Sequence, residues 1–449
     1  MPVSHFKTCC FAIALIALST STSWALSDKE SKHLLLRAGF GVQPELMKAL
    51  AATDRAQAVD FLLQQSSSFQ APTSCVLQPL PNRKMRRAWS NKERIAARKA
   101  MRICGAEFKV WYLQQLIVDS AVLVNKMTLF WHNHFTSSIK KVKAVPLMYA
   151  QHTKIQTLAV GNFAELLKAM VNDPAMLIYL DNINNSKAKP NENLARELLE
   201  LFTLGEGNYR EQDVLSAARA LTGLSVERNK YQRIFRNNRH DNSQKIIFKQ
   251  QQINDSDDLI QAILNNPGTA IHITRSIWQH FISSVNERQI KRLADDFARG
   301  WDIKKLLKSI LLSPDFWQDG GQMFKSPIEL VVGSAKLFQL EDLASKRTVK
   351  RLRDMGQNLF DPPNVKGWPR GKNWLDENKL ILRSQFTDQL ARAVASNMAG
   401  MTAIYCSAEQ MENLTAVAAL VPSISAEDMP RQCSQQLTDL ITDPSWQLK

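Results

Sequence analysis

The sequence predicts a mainly α-helical protein: one multi-helical domain with a small β-hairpin insert and a disulfide-clipped C-terminal extension. Three observations predict it. Apolar residues recur at helical spacing through most of the chain, as at Val118, Ala121, Val122, Val124, Leu129 and Phe130. Helix boundaries are marked by residues that start or stop helices, such as Asp173-Pro174 at one start and Gly223 at one end. Only the segment 224–249 clearly leaves that period.

In chain order, Asp28 to Ala38 reads as a helix ended by Gly39 and Gly41, and Pro44 to Leu63 as two short helices. Residues 66–82, rich in Ser, Gln and Pro, read as a loop. Two long helices are expected over 91–138, then shorter ones at 162–169, 175–180 and 211–222. In 224–249, Tyr231, Ile234 and Phe235 on one side and Ile246, Ile247 and Phe248 on the other flank a polar turn at 237–243, the pattern of a hairpin. Helices resume at 256–280, 287–298, 303–312, 328–338 and 344–355. A Pro- and Gly-rich loop covers 361–372, and a helix follows at 378–398. No repeat period indicates a solenoid.

The first 25 residues have the form of a secretory signal. Lys7 precedes the apolar run Cys9–Leu18, and Ser23-Trp24-Ala25 offers a cleavage site before Leu26. No later stretch reaches the roughly 18 apolar residues of a membrane span. The expected organisation is a signal peptide at 1–25, a helical domain at 26–400 and an extension at 401–449, in a periplasmic or extracellular protein. Of six cysteines, Cys75, Cys104, Cys406 and Cys433 follow the signal. Sequence neighbourhood favours Cys75–Cys104 and Cys406–Cys433, each closing a loop of about thirty residues. The net charge of +15 favours anionic partners, and export sets nucleic acid aside in favour of an anionic polysaccharide or another acidic envelope component.

The segment 190–205 concentrates polar chemistry. Glu192, Arg196, Glu197 and Glu200 share one helical arc, opposite Leu194, Leu198, Leu199, Leu201 and Phe202. Glu197 borders the apolar arc and is the carboxyl to expect half-buried with a raised pKa, as a catalytic acid or base. The bland reading is a set of i,i+4 surface pairs. His132 and His134 in WHNHF, joined by Glu200, would form a His/carboxylate set for a divalent metal; the alternative is a helix-end pair bonded to backbone carbonyls. His240 and Asp241 at the expected hairpin tip suit general-base catalysis, with Arg239 and Lys245 beside them for an anionic substrate. Arg196 joins that substrate set. Trp368 would stack on a sugar face, or else anchor the helical core. The basic run from Arg83 to Arg102 reads as a solvated helix face or a docking patch for an acidic partner. No nucleophile elbow, zinc-protease motif, P-loop or dinucleotide fingerprint is present.

Several long motifs carry a resemblance. HLLLRAGFG (33–41), FWHNHF (130–135), DPAMLIYLDN (173–182), NENLARELLELFTLG (191–205), DVLSAARALTG (213–223), KSPIELVVGSA (325–335) and GQNLFDPPNVKGWP (356–369) resemble, in order, the bacterial domain-of-unknown-function family numbered 1800. The resemblance covers about residues 30–400. It implies a largely helical, exported protein, often encoded beside a secreted family numbered 1501 that looks like phosphatase or sulfatase relatives. It transfers no activity. The expected function is an enzyme acting on an anionic envelope polymer through a Glu/His/Asp site. The alternative is a non-catalytic assembly or binding partner of such a secreted protein.

Overall fold

The computed structural model describes residues 25–72, 74–78, 80–227, 230–249, 251–396 and 433–449. The expected signal segment through Trp24, and Cys406 of the expected Cys406–Cys433 pairing, lie outside them.

The architecture is mainly helical, as the apolar periodicity predicts. The first half contains α1 Asp28–Ala38, α2 Pro44–Leu50, α3 Arg55–Gln64, α4 Ser74–Leu77, α5 Arg83–Ala88, α6 Asn91–Val118 and α7 Val122–His134. It continues with α8 Ile139–Val142, α9 Val145–Leu158, α10 Phe163–Val171, α11 Pro174–Tyr179, α12 Asn193–Leu199 and α13 Glu211–Ala220. The second half contains α14 Ser256–Asn265, α15 Pro267–Phe281, α16 Glu287–Phe297, α17 Ile303–Leu311, α18 Pro314–Gln318 and α19 Pro327–Leu337. Then come α20 Lys346–Asp354, α21 Glu377–Ser396 and α22 Cys433–Thr442. Starts are set locally. Ser27 with Glu30, Ser90 with Glu93, and Ser326 with Glu329 form capping boxes, and Pro occupies the first turn of α2, α11, α15 and α19.

Helix α7 lies at the centre and is buried on every side, with Asn133 its least buried residue. It packs on α9, α3 and α1. Such a helix must pair its polar groups internally. Asn125 donates to Asp119 at 2.9 Å, and the Lys126 ammonium bonds the Glu329 carboxylate and the Gly39 carbonyl. Burial pushes Lys126 down to about 7. For Glu329, burial would raise the carboxyl, but Lys126 and Lys449 outweigh it and hold the group well below its usual range.

The segment 224–253 differs from the expected hairpin. It forms two separate antiparallel ribbons, β1 Leu224–Glu227 with β2 Gln232–Phe235 and β3 Lys245–Ile247 with β4 Gln251–Ile253. The strands at 232–235 and 245–247 do not pair with each other, and residues 237–239 are a short 3-10 turn between the ribbons. Each strand pairs with its nearest sequence neighbour, where loop closure costs least.

Cys75 and Cys104 form a disulfide that ties α4 to α6. At the far end, α22 packs against α21, Phe324 bridges to Leu448, and the Lys449 ammonium enters the buried Lys126–Glu329 network. This stretch therefore packs into the main core.

Candidate functional site

The hallmark helix α12 does not end as an ordinary helix. Glu200–Leu204 continue it as a π-helical turn, and the Thr203 hydroxyl donates back to the Leu198 carbonyl at 2.6 Å. A π-turn shifts the carbonyl ladder. His272 Nε2 donates to Leu201 O at 3.2 Å, and His134 Nε2 donates to Phe202 O at 2.9 Å. A carbonyl only accepts, so both rings carry their proton on Nε2.

His134 thus holds the hallmark turn against α7. Burial, then the nearby His272, push it down to about 3. His132 faces a different way. Its Nε2 meets His152 Nδ1 at 3.0 Å, inside a shell that includes Tyr112 and Phe360. Burial pushes His132 down to about 3 as well. Glu200 accepts from the Tyr209 hydroxyl at 2.6 Å. The expected metal set of His132, His134 and Glu200 is therefore not assembled. Among the described residues, no group of three or more His, Cys, Asp or Glu side chains could hold a metal ion. The helix-end alternative fits His134.

The other expected site residues separate in the same manner. Arg196 pairs with Glu192 at 3.0 Å and with Glu211 at 2.7 Å, a surface arrangement. His240 is buried, with Nδ1 2.8 Å from Thr222 O, so it reaches over no open site. For Asp241, burial would raise the carboxyl, but Arg219 at 2.7 Å and the Ser243 hydroxyl hold it well below its usual range. Lys245 spends its three protons on the carbonyls of Asp241, Ser243 and Asn254. Arg239 donates to Ile183 O at 3.2 Å. These residues close the joint between the ribbons and do not form a catalytic tip. Trp368 is also buried, with its indole nitrogen on Asn358 O at 3.1 Å. Its backbone N–H donates to Asn133 Oδ1 at 2.6 Å. The preceding Gly367 has φ +88°, and a Cβ there would lie 2.6 Å from Asn133 O, so only glycine fits. Trp368 is an anchor.

Glu197 keeps the expected character. It is half-buried, and burial, then the charge of Glu200, raise its carboxyl pKa.

A larger feature lies elsewhere, at a groove of about 1140 Å³ lined by α6, α8, α20 and residues Asn358 and Asp361 of the segment after α20. Arg86, Arg94, Arg98 and Arg102 line it from α5 and α6. Lys346, Lys350 and Arg353 line it from α20, which contacts α6. Lys109, Lys140 and Lys143 complete ten basic side chains against one acidic one, Asp361. That carboxylate is already engaged by Ser138 at 2.6 Å, Asn358 at 2.7 Å and Lys140 at 2.9 Å. Arg353 pairs with Asp354. Among the described residues, Arg86, Arg94, Arg98, Arg102, Lys143, Lys346 and Lys350 have no ion-pair partner. Burial pushes Lys109 down to about 8, and its Nζ donates to Asn358 Oδ1 at 2.6 Å. The α6 rail was visible in RIAARKAMR. The α20 rail, some 250 residues on in sequence, has no local signal linking it to the first.

Residues 33–448 match the family described as "Protein of unknown function (DUF1800)", and the chain belongs to that family. The match runs past residue 400, where the sequence resemblance stops, and takes in the packed C-terminal helix. No curated protein and no solved structure matches the chain.

Proposed function

We propose that this protein is exported and captures an anionic polymer of the cell envelope or its surroundings in the basic groove between α6 and α20. The carrying observation is the groove's ten basic side chains, of which, among the described residues, only Lys140 and Arg353 are ion-paired, with Asp361 and Asp354. Uncompensated like charges in one concavity destabilise the empty protein and attract a polyanion. The volume of about 1140 Å³ exceeds the range of ordinary small-ligand pockets, so a segment of a chain suits it better than a single small molecule. The Cys75–Cys104 disulfide and the signal-like start support an oxidising compartment.

The test is titration calorimetry with polygalacturonate, dextran sulfate and neutral dextran at two salt concentrations. Both anionic polymers should bind, more weakly at high salt, and neutral dextran should not. The triple variant R98A/R102A/K350A should lose at least tenfold in affinity with a melting temperature no lower than the native protein's. No binding of either anionic polymer overturns the proposal. Turnover of the polymer is a stronger claim that the groove does not carry, since its one lining carboxyl, Asp361, is already engaged. E197Q, outside the groove lining, should bind the polymer as the native protein does. The assembly-partner reading, with a secreted family-1501 protein, has one supporting observation, the exposed Ile95 and Ile103 on α6. Loss of such a complex in I95S/I103S, with polymer binding intact, would favour it.

A further inference from the structure

The spacing of the groove's charges carries information about its ligand. Arg94, Arg98 and Arg102 recur every fourth residue on α6. At 1.5 Å rise per residue they stand about 6 Å apart along the helix. Lys346 and Lys350 repeat the same interval on α20, with Arg353 three residues on. Two helical rails thus present cations at a pitch of about one per helical turn. Inorganic polyphosphate places a charge on every P–O repeat of its backbone, a much shorter interval. That is too dense to pair one-to-one with these rails. A sugar ring, by contrast, spans roughly one helical turn, about 5 Å. A chain with one acidic group per sugar therefore matches the pitch.

A second, independent observation agrees. Trp89, between α5 and α6, lines the same groove and is half-buried. An aromatic face among arginines offers an apolar platform to a ring-bearing ligand and nothing to a ringless polyanion. The floor is also polar, through the Lys109–Asn358–Asp361 chain.

Resting on the capture reading above, we propose that the groove's ligand is a linear acidic polysaccharide with one carboxylate per sugar unit, its rings stacking on Trp89 and its carboxylates pairing with the α6 and α20 rails. The experiment compares polygalacturonate, inorganic polyphosphate and neutral dextran at equal monomer concentration, using the full mature chain. Polygalacturonate should bind at least tenfold more tightly than polyphosphate. W89A should weaken polygalacturonate binding about tenfold, the worth of one stacked ring, and leave polyphosphate binding unchanged. W89F should restore most of the loss, and melting temperatures of all three proteins report folding. Equal or tighter binding of polyphosphate, or equal loss of both ligands in W89A, overturns the inference while leaving anion capture standing. Failure of both anions to bind removes the capture reading itself.

Discussion

Lys109 Nζ donates to Asn358 Oδ1 at 2.6 Å and so joins α6 to the segment after α20 at the base of the groove. Asn358 passes the contact on, donating through Nδ2 to Asp361 at 2.7 Å. Burial brings the pKa of Lys109 down to about 8, so enclosure sets the charge of this groove cation.

Anion affinity should therefore depend on pH in a defined window. Lys109 is charged below about 8 and loses its proton above it. Arginines keep their charge throughout. Binding of polygalacturonate should be level from pH 6.5 to 7.5 and weaken severalfold by pH 9. K109M should bind more weakly at pH 7 and show a flatter profile. A native profile that is flat to pH 9 would remove Lys109 from the ligand's environment.

Which parts of this were legible in the sequence follows from what is local. The span of α1, Asp28 to Ala38, is set by its own capping box and glycine stop, and it reads directly. The half-buried character of Glu197 follows from its place at the edge of an apolar arc. The partners of His132 and His134 are not local. Their bonds run to His152 and to the Phe202 carbonyl, 20 and 68 residues away. An H-x-H pair is equally compatible with a metal and with two separate core contacts. The hairpin failed for a related reason. The apolar residues around 231–235 and 245–248 mark strands, but their pairing is set by β1 and β4. The groove needs both rails, and only the tertiary contact between α6 and α20 makes one site of them.

His134 and Glu197 should respond oppositely to substitution, although they serve the same motif. H134A removes a buried ring and leaves Phe202 O without its donor, which should cost about 3 kcal/mol. E197Q keeps the shape of a half-buried side chain and should shift the melting temperature by no more than a degree or two. Urea unfolding of the two variants beside the native protein decides this. A mild H134A would mean that the π-turn stands without its imidazole.

The Cys75–Cys104 bond closes a loop with a sequence separation of 29. In the chain-entropy model such a closure contributes on the order of 3 kcal/mol. It also fixes α6 beside Arg102, one wall of the groove. C75A/C104A should melt several degrees lower and bind polygalacturonate more weakly. Peptide mapping of the native protein without reductant should recover the two cysteines as one linked pair. Free thiols at both positions in exported protein would refute the assignment.

The buried imidazoles should make the fold acid-labile well above the carboxylate range. Burial pushes His132 and His134 down to about 3 and His33 to about 4, and holds His152 well below its ordinary value. In the unfolded chain each titrates near 6.5. Between those values the unfolded state binds more protons than the folded one. Stability is therefore complete above about pH 6.5 and falls as the pH drops toward the folded-state values. Each such histidine contributes a slope of up to about 1.4 kcal/mol per pH unit. Glu329 and Asp241, whose folded values are depressed, add their own loss only as the pH drops through the unfolded carboxylate range near 4. The melting temperature should thus begin to fall between pH 6.5 and 5, before Glu329 and Asp241 add their loss. Differential scanning calorimetry in half-unit steps measures it. In a protein that tolerates the change, H132Q should melt lower at pH 7.5 yet lose less on going to pH 5, because one proton uptake site has gone from the unfolded state. A melting temperature constant from pH 7 to 5 would show that these imidazoles are hydrated or protonated in the folded protein, and the buried His132–His152 contact would have to be abandoned.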